Sequence, residues 1–286
     1  MRQLAVYNPF NAPVYHEDTV DSTMNVSRIL AGQNAPHGTV ITADFQEAGR
    51  GRIKGRSWNM EKAANLAFTI LLRFPGIENI PHALTLRTGL ALSLAVEDFA
   101  PVLAGKVMIK WPNDVLIAGD KSVKKLAGIL AEADGGVVHI GMGINVAQKQ
   151  FPDFLRDKAI SISLALSTAT NREIASEERF TLLEKILVRL YQEIETAEGE
   201  TNAAAADWKS RIESRLYKKG EQVSFAAGMA AGMAADTVAD TVADTVADSG
   251  NIVNGILAGI GPGGELLITP SGSGEPQAFT TGELVF

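Results

Sequence analysis

Cysteine is absent from all 286 residues. That excludes disulfide frameworks, thiolate metal sites and cysteine nucleophiles, and it suits a reducing compartment. Histidine is scarce: His16, His37, His82 and His139 are scattered and make no HExxH or paired-ligand spacing. There is no GxSxG nucleophile elbow and no GxxxxGK[ST] phosphate loop. Long apolar runs are missing too, since ANLAFTILL and GLALSLAV are too short to cross a bilayer. Asn8, Pro9, Pro13, His16 and Glu17 interrupt the place where a secretory apolar segment would run, so a cytoplasmic protein with no membrane partner is expected. Positive charge is in the minority, with 26 Lys+Arg against 33 Asp+Glu. A pI near 5.2 argues against a dedicated nucleic-acid binder.

What is present has the balance of an ordinary folded chain, 46% hydrophobic and 21% charged. The length allows a sizeable core and two domains. Asp21, Ser22 and Thr23 are good N-cap residues, and Met24, Val26, Ile29 and Leu30 follow at near-helical spacing; together they predict a helix from about Ser22. GTVITADFQEAG predicts a strand running into a loop, and ANLAFTILLRF a buried strand stopped by Pro75. From Pro81 to about Ala100 the pattern is helical. KVMIKWPNDVLIAG and KKLAGILAEA predict two strands joined by DKSVK, and GGVVHIGMGINV predicts a third. Together they predict an antiparallel group next to the first strands with helices covering one face, an α+β fold.

A long helix is predicted over NREIASEERFTLLEKILVRLYQEIETAE and a second over NAAAADWKSRIE. Beyond Tyr217 the texture changes to short glycine-rich strands, the pattern of a small barrel or sandwich. The expected domains are therefore residues 1–216 and 217–286. An insertion at about 226–250 repeats every four residues, placing Asp236, Asp240, Asp244 and Asp248 in register. It reads as a tandem duplication in a surface turn, where added length costs little closure entropy.

Several stretches carry chemistry. GIGPGG satisfies GxGxxG, but the strand-like ELLIT follows it, so a hairpin turn is expected there and no dinucleotide cradle. GRGRIKGRSW, residues 49–58, gathers Arg50, Arg52, Lys54 and Arg56 among Gly49, Gly51 and Gly55. A nucleic-acid-binding tail, a solvated loop and a loop over an anionic ligand all fit those residues. KWPNDV holds Lys110 inside an apolar run, a costly place for an ammonium unless it meets an anion. Asn113 and Asp114 then favour a turn. In KKLAGIL, Lys125 precedes the small Ala127 and Gly128, which let a backbone or ligand approach closely. GMGINV sets Gly141, Gly143 and Asn145 on a strand.

In this order, DST (residues 21–23), QEAGRGR (46–52), GRSW (55–58), ANL (64–66), KWPND (110–114), KLAGIL (125–130) and GMGIN (141–145) resemble the biotin–protein ligase family. The resemblance implies a catalytic domain on a mixed sheet followed by an SH3-like barrel. It implies that Ser22, Thr23 and Gln46 bond the biotin ureido group, with Gly49, Arg50, Gly51 and Arg52 in a loop ordering over biotin and its adenylate. Lys125 is implied at the biotin carboxylate or reacting phosphate, and Gly141 and Gly143 along the biotin slot. Trp58 is implied against adenine, with Asn65, Asn113, Asp114 and Asn145 around ATP and its Mg2+, and Lys110 at the α-phosphate. Lys110, Arg52 and Lys125 are the implied catalytic residues, and a biotin carboxyl-carrier protein domain is the implied partner. Three departures stand out: an extra residue before Gly55, Met24 where asparagine is frequent, and a long turn that makes Lys124 an alternative to Lys125. Motifs beginning by Ser22 leave no DNA-binding domain to be expected, and an exposed sheet edge could pair two copies or stay free. The rivals are a lipoate-attaching enzyme and a ligand-sensing or nucleic-acid-binding module.

Overall fold

In the computed structural model, which describes residues 1–53, 58–119, 122–170, 172–195, 207–228 and 252–285, the run ANLAFTILLR forms a strand, β4 (Asn65–Arg73). It is buried from Asn65 to Leu72. Leu66, Phe68, Ile70 and Leu72 enter the main core, and the alternating residues Asn65, Ala67 and Thr69 fall on the opposite face. A strand covered on both sides shows no alternation of hydrophobicity, which is why this one reads as continuous apolar sequence.

β4 lies inside an eight-stranded sheet ordered β1 (Arg2–Gln3), β2 (Val14–Glu17), β3 (Thr39–Ala43), β4, β8 (Val137–Asn145), β7 (Val123–Asp134), β6 (Asp114–Ala118), β5 (Val107–Lys110). β2 and β3 run parallel and the other neighbours antiparallel, so the sheet is mixed. The parallel pair needs a crossover, supplied by α1 (Thr23–Gly32). Ser22 caps that helix, its hydroxyl accepting from the Met24 N–H at 3.3 Å. KVMIKWPNDVLIAG, predicted as one strand, is a hairpin of β5 and β6, because Pro112 lacks the N–H a continuous strand would donate.

On one face α2 (Leu84–Phe99) packs on β5, β6 and β7 and α4 (Glu178–Ile194) on β4 and α2, burying Leu92, Val96, Leu183, Ile186, Leu187 and Leu190 in the main core. The helix expected from Pro81 begins at Leu84, after Ala83 takes a left-handed φ of 54°. A short helix, α3 (Ile162–Thr170), has no counterpart among the predicted elements. The second predicted helix is α5 (Trp208–Glu213).

The remaining strands form a five-stranded antiparallel sheet ordered β12 (Gln277–Phe279), β11 (Leu266–Pro270), β10 (Ile252–Ile260), β9 (Gln222–Ala227), β13 (Gly282–Val285). GIGPGG is the β10–β11 turn, where Gly264 has a φ of 96°. This sheet does not hang free. Phe225, Leu257, Ile260 and Leu266 share a core with Leu86 and Leu90 of α2 and with Ile109 and Trp111 beside β5. The Trp111 indole N–H donates to the Gly264 carbonyl at 3.0 Å. Residues 229–250 of the expected insertion lie outside the described residues. Among the described residues, no helix is long and apolar enough to cross a membrane.

His139 of β8 is buried beside α1, its Nδ1 2.8 Å from the Ser27 hydroxyl. Burial, aided by Arg28, pushes its pKa down, and burial does the same to His16. A histidine with a depressed folded pKa favours folding above its unfolded value of about 6.5 and withdraws that support as pH falls towards the lowered value. The melting temperature should therefore drop between pH 7.5 and 5.5, and drop less in His139→Gln. Equal drops would remove His139 from the pH response.

Candidate functional site

Opposed residues of neighbouring strands share a face, and the register lines up one row across six strands. Ala43 stands opposite Ala67, Ala67 opposite Gly143, Gly143 opposite Gly128, Gly128 opposite Asp114 and Asp114 opposite Lys110. The row passes from small, featureless residues to a carboxylate and then an ammonium. It lies on the face away from the main core. Lys110 is 8% exposed and Asn145 3%, so these two polar residues of the face are enclosed, while the Lys125 side chain stays partly open to solvent.

The row has a roof. Trp58 lies over its glycines: a Cβ built on Gly143 would come within 2.5 Å of the indole, and one on Gly128 within 3.4 Å. Among the described residues the indole Nε1 is buried with no acceptor, and Oδ1 of Asn65, one register step away, is buried with no donor. Two unpaired polar atoms thus flank a strip of backbone whose glycines bring it within reach of a close neighbour. Trp58 is held by its own backbone, whose N–H donates to the Gly49 carbonyl at 3.0 Å and closes the base of the Arg/Gly loop. Of the four cations in that loop, Lys54 and Arg56 lie outside the described residues. Arg50 donates to the Asn25 side-chain carbonyl at 3.3 Å. Arg52 donates to the Gly282 carbonyl at 3.1 Å, on the edge strand of the second sheet. Gly51 carries the half-buried backbone between them.

At one end of the row is a chain of hydroxyls and an amide. Thr69 donates to the Thr23 hydroxyl at 2.8 Å, and Thr23 donates to Gln46 Oε1 from its hydroxyl at 3.0 Å and its N–H at 2.8 Å. Among the described residues no acceptor engages the Gln46 amide N–H groups. Met24 sits over Gly141, its Sδ 2.9 Å from where a Cβ would be.

The other end is charged. Lys125 Nζ is 2.6 Å from Asp114 Oδ1 and 5.9 Å from the centroid of the Trp58 ring. Strict alternation back from Gly128 would turn Lys124 to this face and Lys125 to the core. A bulge in β7 reverses that: Val115 pairs with Ala127 but Leu116 with Lys125, and the extra residue re-aims the side chain. Lys124 instead donates to the Arg156 carbonyl at 2.7 Å. The remaining asparagines brace the frame: Asn113 donates to the Ile129 carbonyl at 2.7 Å, Asn145 to the Ile160 carbonyl at 3.2 Å, and Asn65 to Gln148 at 3.0 Å.

Sequence reasoning passed over Thr69, Asn25, Arg28 and Glu132. A signal was available for Thr69, as the third member of the i, i+2 set Asn65, Ala67, Thr69, and for Asn25 and Arg28, which follow Asp21 at i+4 and i+7. Elsewhere, His16, Asp18 and Asp44 bring three metal-ligating atoms within 4.8 Å of one another. Arg179 already pairs with Asp44, so the set reads as a charge network joining β2, β3 and α4.

Residues 17–147 match the Biotin/lipoate A/B protein ligase family. Over 164 residues the chain is 40% identical to the bifunctional ligase/repressor BirA of Bacillus subtilis, covering 56% of this chain and 48% of that protein. It is 33% identical to the biotin–[acetyl-CoA-carboxylase] ligase of Mycobacterium tuberculosis, covering 61% of this chain and 60% of that one. Against the curated relatives matched first, the chain spans about half their length. The structure of the biotin protein ligase from Aquifex aeolicus in complex with biotin and ATP superposes with a TM-score of 0.69 at 26% identity, over 95% of this chain and 97% of that one.

Proposed function

We propose that this chain, which carries a Biotin/lipoate A/B protein ligase family domain over residues 17–147, is a biotin–protein ligase. It activates biotin with ATP to biotinyl-5′-AMP and transfers the biotinyl group to a lysine of a biotin carrier domain, such as that of acetyl-CoA carboxylase. The observation that carries the reading is the roofed row from Ala67 to Lys110, a narrow apolar strip ending in paired charges. Its solved relative with biotin and ATP bound supports the same chemistry.

In the first step the biotin carboxylate attacks the α-phosphorus and pyrophosphate leaves. Two anions must be held together, so positioning and positive charge supply most of the rate. Thr23 and Gln46 suit the ureido end, because the Gln46 amide is oriented by two donors from Thr23. Gly141 and Gly143 would take the ring system and chain once Met24 and Trp58, which lie directly over them, swing aside. Lys125 keeps its ammonium at the carboxylate end: Asp114 engages one of its three donors and leaves the others for ligand oxygens. Lys110 meets the charge developing on the phosphate, and Trp58 stands between the strip and the nucleotide. In the second step the carrier lysine amine, deprotonated, attacks the acyl carbon and AMP leaves.

For Mg2+, the donor set fits in type: Asp114 offers a hard carboxylate oxygen, and this ion typically takes one or two carboxylates with the remainder from phosphates and water. Such an ion would neutralise charge on the triphosphate. We further assign residues 1–216 to the catalytic domain and 217–286 to an SH3-like barrel. The protein works in the cytoplasm without nucleic acid. Incubating a biotin-carrier domain with the protein, ATP, Mg2+ and biotin should raise the carrier's mass by one biotinyl group. Modification with lipoate and none with biotin would transfer the assignment to the lipoate branch, and no modification with either would refute it.

A further inference from the structure

The exposed side of α1 carries a polar chain that the reaction above does not use. Asp21, Asn25 and Arg28 recur at helical spacing on one face. The Asn25 amide donates to Asp21 Oδ2 at 2.5 Å, and this bond, then the Ser22 N–H, holds the Asp21 carboxyl below the usual carboxylate range. With its NH2 committed to an ionised acceptor, the Asn25 carbonyl is left facing the other way. It accepts from Arg28 at 2.8 Å and from Arg50 at 3.3 Å. Both guanidinium groups also face Glu132 on β7: Arg28 is in direct contact, and Arg50 is 3.9 Å away.

Two cations sharing one carboxylate is a lopsided arrangement. Arg28 belongs to a helix already packed on the sheet and has no need of Glu132 to stay in place. Arg50 belongs to the Arg/Gly loop, where three glycines within residues 49–55 make the backbone costly to order. We propose that Glu132 is a positioning residue for that loop: with the Asn25 carbonyl it holds Arg50, and so fixes the loop's first limb beside the site. Arg52 on the Gly282 carbonyl anchors the same limb towards the second sheet. The limb thus spans the two sheets, and Glu132 secures one of its ends.

The inference rests on the biotin-ligase reading only in its kinetic arm, and the two arms fail separately. In the ligand-free full chain, tryptic cleavage after Arg50 should run about three- to fivefold faster in Glu132→Gln than in the parent, the scale expected of one half-exposed ion pair. Arg28→Ala removes the competitor for Glu132 and should leave that rate unchanged or lower it. Parent-like cleavage in Glu132→Gln overturns the proposal. So does equal acceleration in Arg28→Ala, which would make Glu132 a tie between α1 and β7 alone. In biotin-dependent pyrophosphate release, Glu132→Gln should raise KM for biotin by about three- to fivefold and hold kcat within about twofold. An unchanged KM beside faster cleavage also overturns the positioning role. A parent protein inactive with biotin refutes the ligase reading, and the cleavage comparison then still decides whether Glu132 holds Arg50.

Discussion

Lys110→Met should lower kcat for biotin-dependent pyrophosphate release by roughly 10²- to 10³-fold, the loss typical when one preorganised charge-stabilising donor is removed. Methionine keeps the length and apolar stem, so the 8%-exposed position stays filled and the fold stays intact. Lys110 ends β5 opposite Asp114, at the terminus of the row. A group acting on charge that appears only as the phosphorus is attacked changes kcat far more than substrate affinity. Biotin affinity measured by calorimetry should stay within about threefold of the parent, because uniform binding is not what the ammonium provides. Turnover within threefold of the parent would remove Lys110 from the chemistry.

Gly143→Val should abolish saturable biotin binding, an affinity loss of more than about 100-fold, while the protein stays folded. The first added atom would already lie 2.5 Å from the Trp58 indole and 2.8 Å from its Nε1. Trp58 must leave, and the strip it roofs must close. Valine is favoured in strands, and the backbone pairing of Gly143 with Ala67 and Gly128 needs no side chain, so the sheet tolerates the change. Expulsion of Trp58 should also shift the tryptophan emission to longer wavelength. Biotin bound at parental affinity would show that the ligand lies elsewhere.

The β8 motif was legible because His139, Gly141, Gly143 and Asn145 alternate with Ile140, Met142 and Ile144, and a two-residue period survives intact in a strand. The helix at Thr23 was legible from its cap. Lys125 against Lys124 was not, since the answer depends on a bulge that adds one residue to β7 and no local signal announces it. The β5–β6 hairpin was half legible: Pro112 interrupts pairing, but an apolar run on each side looks the same whether the chain continues or doubles back. The protein partners of Arg50 and Arg52 were out of reach, because Glu132 and Gly282 lie 82 and 230 positions away from them in the chain. The row from Ala43 to Lys110 is likewise a product of register: β5 to β8 follow one another in the chain, but only pairing decides which of their residues stand opposite and sets them beside β3 and β4 far upstream.

The hydrophobic wall common to α2, the β5–β6 turn and the second sheet has a consequence for precision. Trp111 is pinned through its indole to a turn more than a hundred positions downstream, and its immediate neighbour is the lysine that ends the row. The place of that ammonium is thus surveyed from two foundations at once, and loosening the distant turn would blur its aim without altering any atom beside it.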